Sequence, residues 1–118
     1  MTKFCMAMVL AGFVLACVGP AMGADPEVGQ YYRIKNVRSE KVLSVSDKGK
    51  EEGAKIEQVP QAPSMLQQWE FVAAGEYFKI VNRKTGKALN VQSESQEEDA
   101  PIIQWDAGVD NENLQWSL

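Results

Sequence analysis

Tyr32-Arg33-Ile34-Lys35-Asn36 and Phe78-Lys79-Ile80-Val81-Asn82 decide how this chain is read, because they open two copies of one pattern. In the same register Lys41-Val42-Leu43-Ser44-Val45 lies on Lys87-Ala88-Leu89-Asn90-Val91, and Ala54-Lys55-Ile56-Glu57-Gln58 on Ala100-Pro101-Ile102-Ile103-Gln104. One inserted residue later, Gln68-Trp69-Glu70-Phe71 meets Gln115-Trp116-Ser117-Leu118. The period is about 46 residues, within the range of repeat architectures.

Each copy alternates apolar and polar residues in short β-branched and aromatic runs separated by turn-formers, which is the strand pattern. The spacing predicts strands near 31–36, 42–46, 54–59 and 67–72, then 77–82, 88–92, 100–105 and 114–118. Asn82-Arg83-Lys84-Thr85-Gly86 supplies a turn with glycine where a positive φ is needed, and Glu40 takes that glycine's place in the first copy. Leu43, Val45, Leu89 and Val91 are expected to point inward. Ile34, Ile56, Trp69, Phe71, Ile80, Ile102 and Trp116 recur at equivalent places and complete the expected core. Propeller blades also carry four strands, but two blades cannot close a ring and no Gly-His or Trp-Asp signature is present.

The first residues have a different character. Lys3 precedes a nearly continuous apolar run from Phe4 to Gly19, and Ala21-Met22-Gly23 is a small-x-small site, the layout of an export signal over 1–23. A short linker, 24–30, would join it to a domain over 31–118 with repeats 31–72 and 76–118. The apolar run is short for a membrane span, and Gly19-Pro20 breaks it before a polar segment. Secretion, or residence in the periplasm or cell envelope, is the expected fate. An alternative is that Val14-Leu15-Ala16-Cys17 is a lipobox that anchors the protein through Cys17.

Cys5 and Cys17 are the chain's two cysteines and both fall in that leader, so cleavage after Gly23 would leave no disulfide and no Cys-based zinc site. There is no histidine. The whole chain carries a formal charge of −4, about −5 once Lys3 is removed, and its basic residues are scattered among acids. Nucleic acid is therefore not an expected partner, since phosphate backbones are gripped by clustered Lys and Arg.

The run Tyr-x-Ile-x-Asn-x-x-Ser-x-Lys-x-Leu-x-Val, then Gly-Ala-x-Ile-x-Gln, then Gln67-Gln68-Trp69, resembles the repeat of the ricin-B-type lectins with its Gln-x-Trp hallmark. The likeness covers Tyr31 to Leu118. It implies an all-β, β-trefoil-like fold in which three repeats close a barrel capped by hairpins, with shallow sugar pockets on the repeats. Such a pocket uses an acidic residue in the second strand, an aromatic platform after the third, and an Asn-Gln pair before the Trp. At the matching positions the first copy has Ser44 and Val59 and keeps only Gln67. The second copy has Asn90, Trp105 and Asn113, with Leu114 in place of the hallmark Gln. Asn90, Trp105 and Asn113 are thus the candidate carbohydrate-binding residues, with glycans or polysaccharide as the implied partner. Packing at the barrel rim is the competing role for Trp105, and a turn or strand edge for the two asparagines. Asp106 and Asp110 follow Trp105 in a loop that is either solvated or in reach of a ligand.

Catalysis is not expected. Serine lacks a histidine base, and Glu97, Glu98 and Asp99 are consecutive in a predicted loop rather than paired across a cleft. No cofactor is expected. Calcium is the metal to consider, because acidic residues crowd two loops, but neither spacing matches an EF-hand. A protein-binding or structural role on the same fold is the main rival to sugar binding. Two repeats cannot close a three-repeat barrel, so the chain is expected to self-associate, for example as three chains sharing two barrels; a truncated product lacking its last repeat is the alternative.

Overall fold

The computed structural model describes residues 6–10, 13–15, 26–46 and 51–118. Among them there is no α-helix; the elements are strands β1 (Met6–Leu10), β2 (Phe13–Leu15), β3 (Tyr31–Ile34), β4 (Val42–Val45), β5 (Ile56–Val59), β6 (Trp69–Ala74), β7 (Tyr77–Asn82), β8 (Lys87–Val91) and β9 (Ile102–Asp106). Single turns of 3-10 helix at Met65–Gln67 and Glu112–Leu114, and a turn at Gln92–Glu94 in which Ser93 and Glu94 are left-handed at φ 56°, separate some of them.

The strands form a sheet in the order β2-β1-β3-β6-β7-β8-β9 and a separate hairpin β4-β5. β3 pairs with β6, and β6 with β7 through a six-pair hairpin running from Trp69↔Asn82 to Ala74↔Tyr77. Phe78 in turn bridges Trp116. These segments make the wall of a barrel that does not close, while β4-β5 and β8-β9 are its cap hairpins, paired at Val42↔Val59 and Lys87↔Asp106 respectively.

The turn and the indole bond are repeated in both copies. Asn36 Oδ1 accepts from the N–H groups of Arg38 and Ser39 at 3.0 and 2.9 Å, and Asn82 Oδ1 accepts from Lys84 and Thr85 at 3.0 and 3.2 Å. Ser39 Oγ donates to Gln58 Oε1 at 2.8 Å, and Thr85 Oγ1 to Gln104 Oε1 at 2.8 Å. The turn then needs a left-handed residue, which is Gly86 at φ 70° in one copy and Glu40 at φ 61° in the other. Each tryptophan closes its own copy: Trp69 Nε1 donates to the Leu43 carbonyl at 3.0 Å and Trp116 Nε1 to that of Leu89 at 3.2 Å.

The core gathers Tyr32, Ile34, Val45, Trp69, Phe71, Ile80 and Leu89, with Leu43, Ile56, Ile102 and Trp116 packed half-buried against it. Phe71 meets Tyr32 and Phe78 edge-on, at centroid distances of 5.6 and 6.2 Å. Val91, expected inward, is half-buried and lies outside this cluster. Leu43, Ile102, Trp116 and Leu118 border a cavity of about 180 Å³ together with buried core residues such as Phe71 and Leu89.

Other boundaries differ from expectation. The segment 114–118 contributes a single bridge, Phe78↔Trp116, rather than a full strand, and follows a 3-10 turn at Glu112–Leu114. The first copy keeps the equivalent turn at Met65–Gln67, yet its β6 runs six residues because β7 lies alongside. The apolar run read as a leader contains β1 and β2, and β1 lies antiparallel along the outer edge of β3, from Met6↔Ile34 to Val9↔Tyr31. Cys5, Cys17 and the expected cleavage point at Gly23 lie outside the described residues. The described part of the linker is folded: Glu27 N–H donates to the Tyr32 hydroxyl at 2.7 Å and Gly29 turns the chain at φ 83°.

Candidate functional site

The β8-β9 hairpin places Asn90 opposite Ile103 and Ala88 opposite Trp105. Facing residues of an antiparallel pair share a face, and so do residues two apart along a strand, so Asn90 and Trp105 are diagonal neighbours on one face. Asn90 is buried at 5 % exposure, whereas Trp105 at 37 % leaves a large part of its indole in solvent. A solvent-facing indole on a rigid hairpin is available for stacking in a way that the fully buried Trp69 is not.

Asn113 comes to this face from the turn Glu112–Leu114, which is anchored by the buried Leu114. Its Nδ2 donates to Asn90 Oδ1 at 2.7 Å and, more weakly, to the Val91 carbonyl at 3.4 Å. That leaves Asn113 Oδ1 buried without a partner, one of two such side-chain atoms among the described residues, the other being Arg33 Nε. An unpaired buried amide oxygen costs about 1–3 kcal/mol. Beside Asn113 opens a groove of about 580 Å³, lined by Val91, Glu94, Gln96, Asp110 and Asn111 among others. The structure thus joins Asn90 to Asn113 and sets Asn113 on the groove; Trp105 shares the Asn90 face but is not part of the groove lining.

The loop after Trp105 is tied down. Asp106 Oδ1 accepts from Gly108 N–H at 2.8 Å, and Lys79 Nζ from β7 donates to the carbonyls of Ala107 and Val109 at 2.9 and 2.8 Å. Asp106 therefore closes its own loop, while Asp110 faces the groove and accepts a long 3.5 Å bond from Gln115 Nε2. Glu94 and Gln96, on the groove's far side, were not singled out as binding residues, because nothing in the local sequence brings the 92–96 turn to Asn113. Among the described residues, no cluster of acidic side chains converges as a metal site.

The first copy's equivalents are differently occupied. Ser44 is buried and its Oγ donates to the Val45 carbonyl at 3.0 Å. Gln67 uses both ends of its amide on its own loop, accepting from Ala62 N–H at 2.8 Å and donating to the Pro60 carbonyl at 3.1 Å. No amide oxygen is left over there for a ligand.

Comparison with known proteins follows the same lines. Residues 21–105 and 65–118 match the family described as ricin-type beta-trefoil lectin domain-like. A designed three-fold symmetric protein, ThreeFoil, is 32 % identical, with a TM-score of 0.68 over 87 % of this chain and 77 % of its own. An exo-β-1,3-galactanase from Clostridium thermocellum is 30 % identical with a TM-score of 0.69 over 96 % of this chain, which spans 27 % of that enzyme. A Polyporus squamosus lectin, solved with a sialylated epitope, shares the fold at 13 % identity and a TM-score of 0.65, over 95 % of this chain and 42 % of its own. No curated protein matches this chain.

Proposed function

Because this chain belongs to the ricin-type β-trefoil lectin-like family, we propose that it is an exported, non-catalytic carbohydrate-binding module whose glycan site lies on the second repeat. The observation that carries the reading is the Asn113 side chain, held by Asn90 and lining a groove whose walls are mostly polar. A vicinal diol is suited to such a groove, since its hydroxyls can donate to carboxylates such as Glu94 and Asp110 and accept from amide groups such as Gln96 and Asn111. The exposed face of Trp105 supplies an apolar surface for the C–H face of a pyranose. Asn90 stands where the family pattern has a carboxylate, and neutral hydrogen bonds are about half as strong as charge-assisted ones, so the affinity of one site is low. The apolar N-terminal run and its small-x-small site support export, and no described helix is long and apolar enough to cross a membrane.

A glycan array probed with the exported protein tests the proposal, with Trp105→Ala and Asn113→Ala as controls. Binding to a defined sugar class that weakens about ten-fold or more in either variant supports it, on the scale of one lost stacking or hydrogen-bond contact. Silence of the wild type across the array would transfer the function to a protein-binding role on the same scaffold. The intact mass of the exported protein reads the leader: cleavage after Gly23, or a lipid-modified Cys17, would each be visible.

A further inference from the structure

The loop after the third strand is held by different means in the two repeats. In the first it is held by a buried amide: Gln67 accepts from Ala62 N–H at 2.8 Å and donates to the Pro60 carbonyl at 3.1 Å, gripping both ends of 60–62. In the second repeat Leu114 stands in place of Gln67, and an alkyl side chain neither donates nor accepts. The loop's own bonds run from Gly108 N–H to Asp106 Oδ1 at 2.8 Å and from Val109 N–H to the Asp106 carbonyl at 3.3 Å. They join residues within three positions of one another and do not tie the loop to the barrel.

That tie comes from Lys79 on β7. Its side chain is half-buried, and its Nζ donates to the Ala107 carbonyl at 2.9 Å and to the Val109 carbonyl at 2.8 Å. Hydrogen bonds from an ionised donor are about twice as strong as neutral ones. The matching residue of the first repeat, Arg33 on β3, reaches the equivalent loop with one bond of 3.2 Å to the Ala62 carbonyl, and its Nε has no partner. A cation at this strand position therefore touches the loop in both repeats, and it grips with two short bonds in the repeat that has no glutamine amide. The loop so gripped leaves β9 just after Trp105 and leads into Asp110 and Asn111, which line the groove beside Asn113.

We infer that Lys79 is a positioning residue for this groove: it stands in for the glutamine amide of the other repeat and, without touching the sugar, holds Asp110 and Asn111 at the groove wall. The inference rests on the glycan reading of the groove. With the ammonium in place the loop is ordered before a ligand arrives; without it, ordering falls to the ligand and lowers its affinity.

Amide hydrogen exchange and glycan binding, both measured on the exported protein, test this. Lys79→Met keeps an apolar stem of similar length but has no donor. The Gly108 and Val109 amides should exchange about ten-fold faster or more, those of β8 should be unchanged, and affinity for the sugar class selected on the array should fall about ten-fold. Lys79→Arg supplies a donor of the kind that Arg33 offers the first repeat's loop and should recover most of both losses. The unchanged β8 amides separate a loosened loop from a loosened fold. If the wild type binds glycan and Lys79→Met binds equally well, or loses affinity with its loop exchange unchanged, the inference falls and the glycan reading stands. If the wild type binds no glycan, the glycan reading falls and takes the inference with it.

Discussion

The two repeats share the hydrogen bonds of their Asn-led turns and tryptophans but differ in burial. Gln104 is wholly buried while its counterpart Gln58 is exposed; Asn82 is buried at 1 % while Asn36 is exposed; Trp69 is fully buried while Trp116 is only half so. Within each repeat the turn, the hairpin and the indole bond are set by residues a few positions apart or facing one another, and they survive whatever lies outside. Burial depends on what stands at the flank. The second repeat's inner flank is covered by the first, whereas the first repeat's outer flank faces β1 or solvent. A repeat in this fold is locally complete and globally incomplete, as expected where each unit buries its apolar face against a neighbour.

The tryptophans should separate the repeats most strongly. Trp69→Ala removes a fully buried indole and its bond to Leu43, so a loss of about 3–5 kcal/mol is expected. Trp116→Ala should cost about half as much, since its ring is only half-buried and borders a cavity. Urea unfolding at low protein concentration measures both. Equal losses would break the comparison, because they would mean that the open side is covered by the chain itself.

A smaller contrast is expected at the paired glutamines. Gln104→Ala leaves the Glu51 carbonyl without its donor and the Thr85 hydroxyl without its acceptor, at a cost of about 1–3 kcal/mol. Gln58→Ala removes one exposed bond to Ser39 and should stay within about 0.5 kcal/mol.

These contrasts mark what was legible in the sequence. The strands, the Asn-led turns and the paired tryptophans were readable because each is set by local pattern and occurs twice. The nearness of Asn90 to Asn113 followed from the family pattern, and the 2.7 Å bond between them agrees with it. Identical residue types at 58 and 104 gave no sign that one is buried and the other free, because that depends on the neighbouring repeat rather than on the residue. Nor could spacing reveal that Gln67 is consumed by the Pro60–Ala62 backbone, or that the 92–96 turn reaches the groove beside Asn113.

A further contrast lies at a turn position where the repeats differ in chemistry but not in shape. Glu40 holds φ 61° where Gly86 holds 70°, and a side chain in the left-handed region costs about 1–2 kcal/mol through the crowding of Cβ against the following carbonyl. Glu40→Gly removes that strain but adds freedom to the unfolded chain, which offsets part of the gain. The net expectation is a stabilisation of about 0.5–1 kcal/mol, seen as a higher urea midpoint with an unchanged slope. Gly86→Ala should move the other way by about 1 kcal/mol; nothing lies within 4 Å of a Cβ built there, so the loss is conformational rather than steric crowding by neighbours. If Glu40→Gly were neutral or destabilising, Glu40 would be held by something more than its backbone geometry. The two turns would then be alike in shape but stabilised for different reasons.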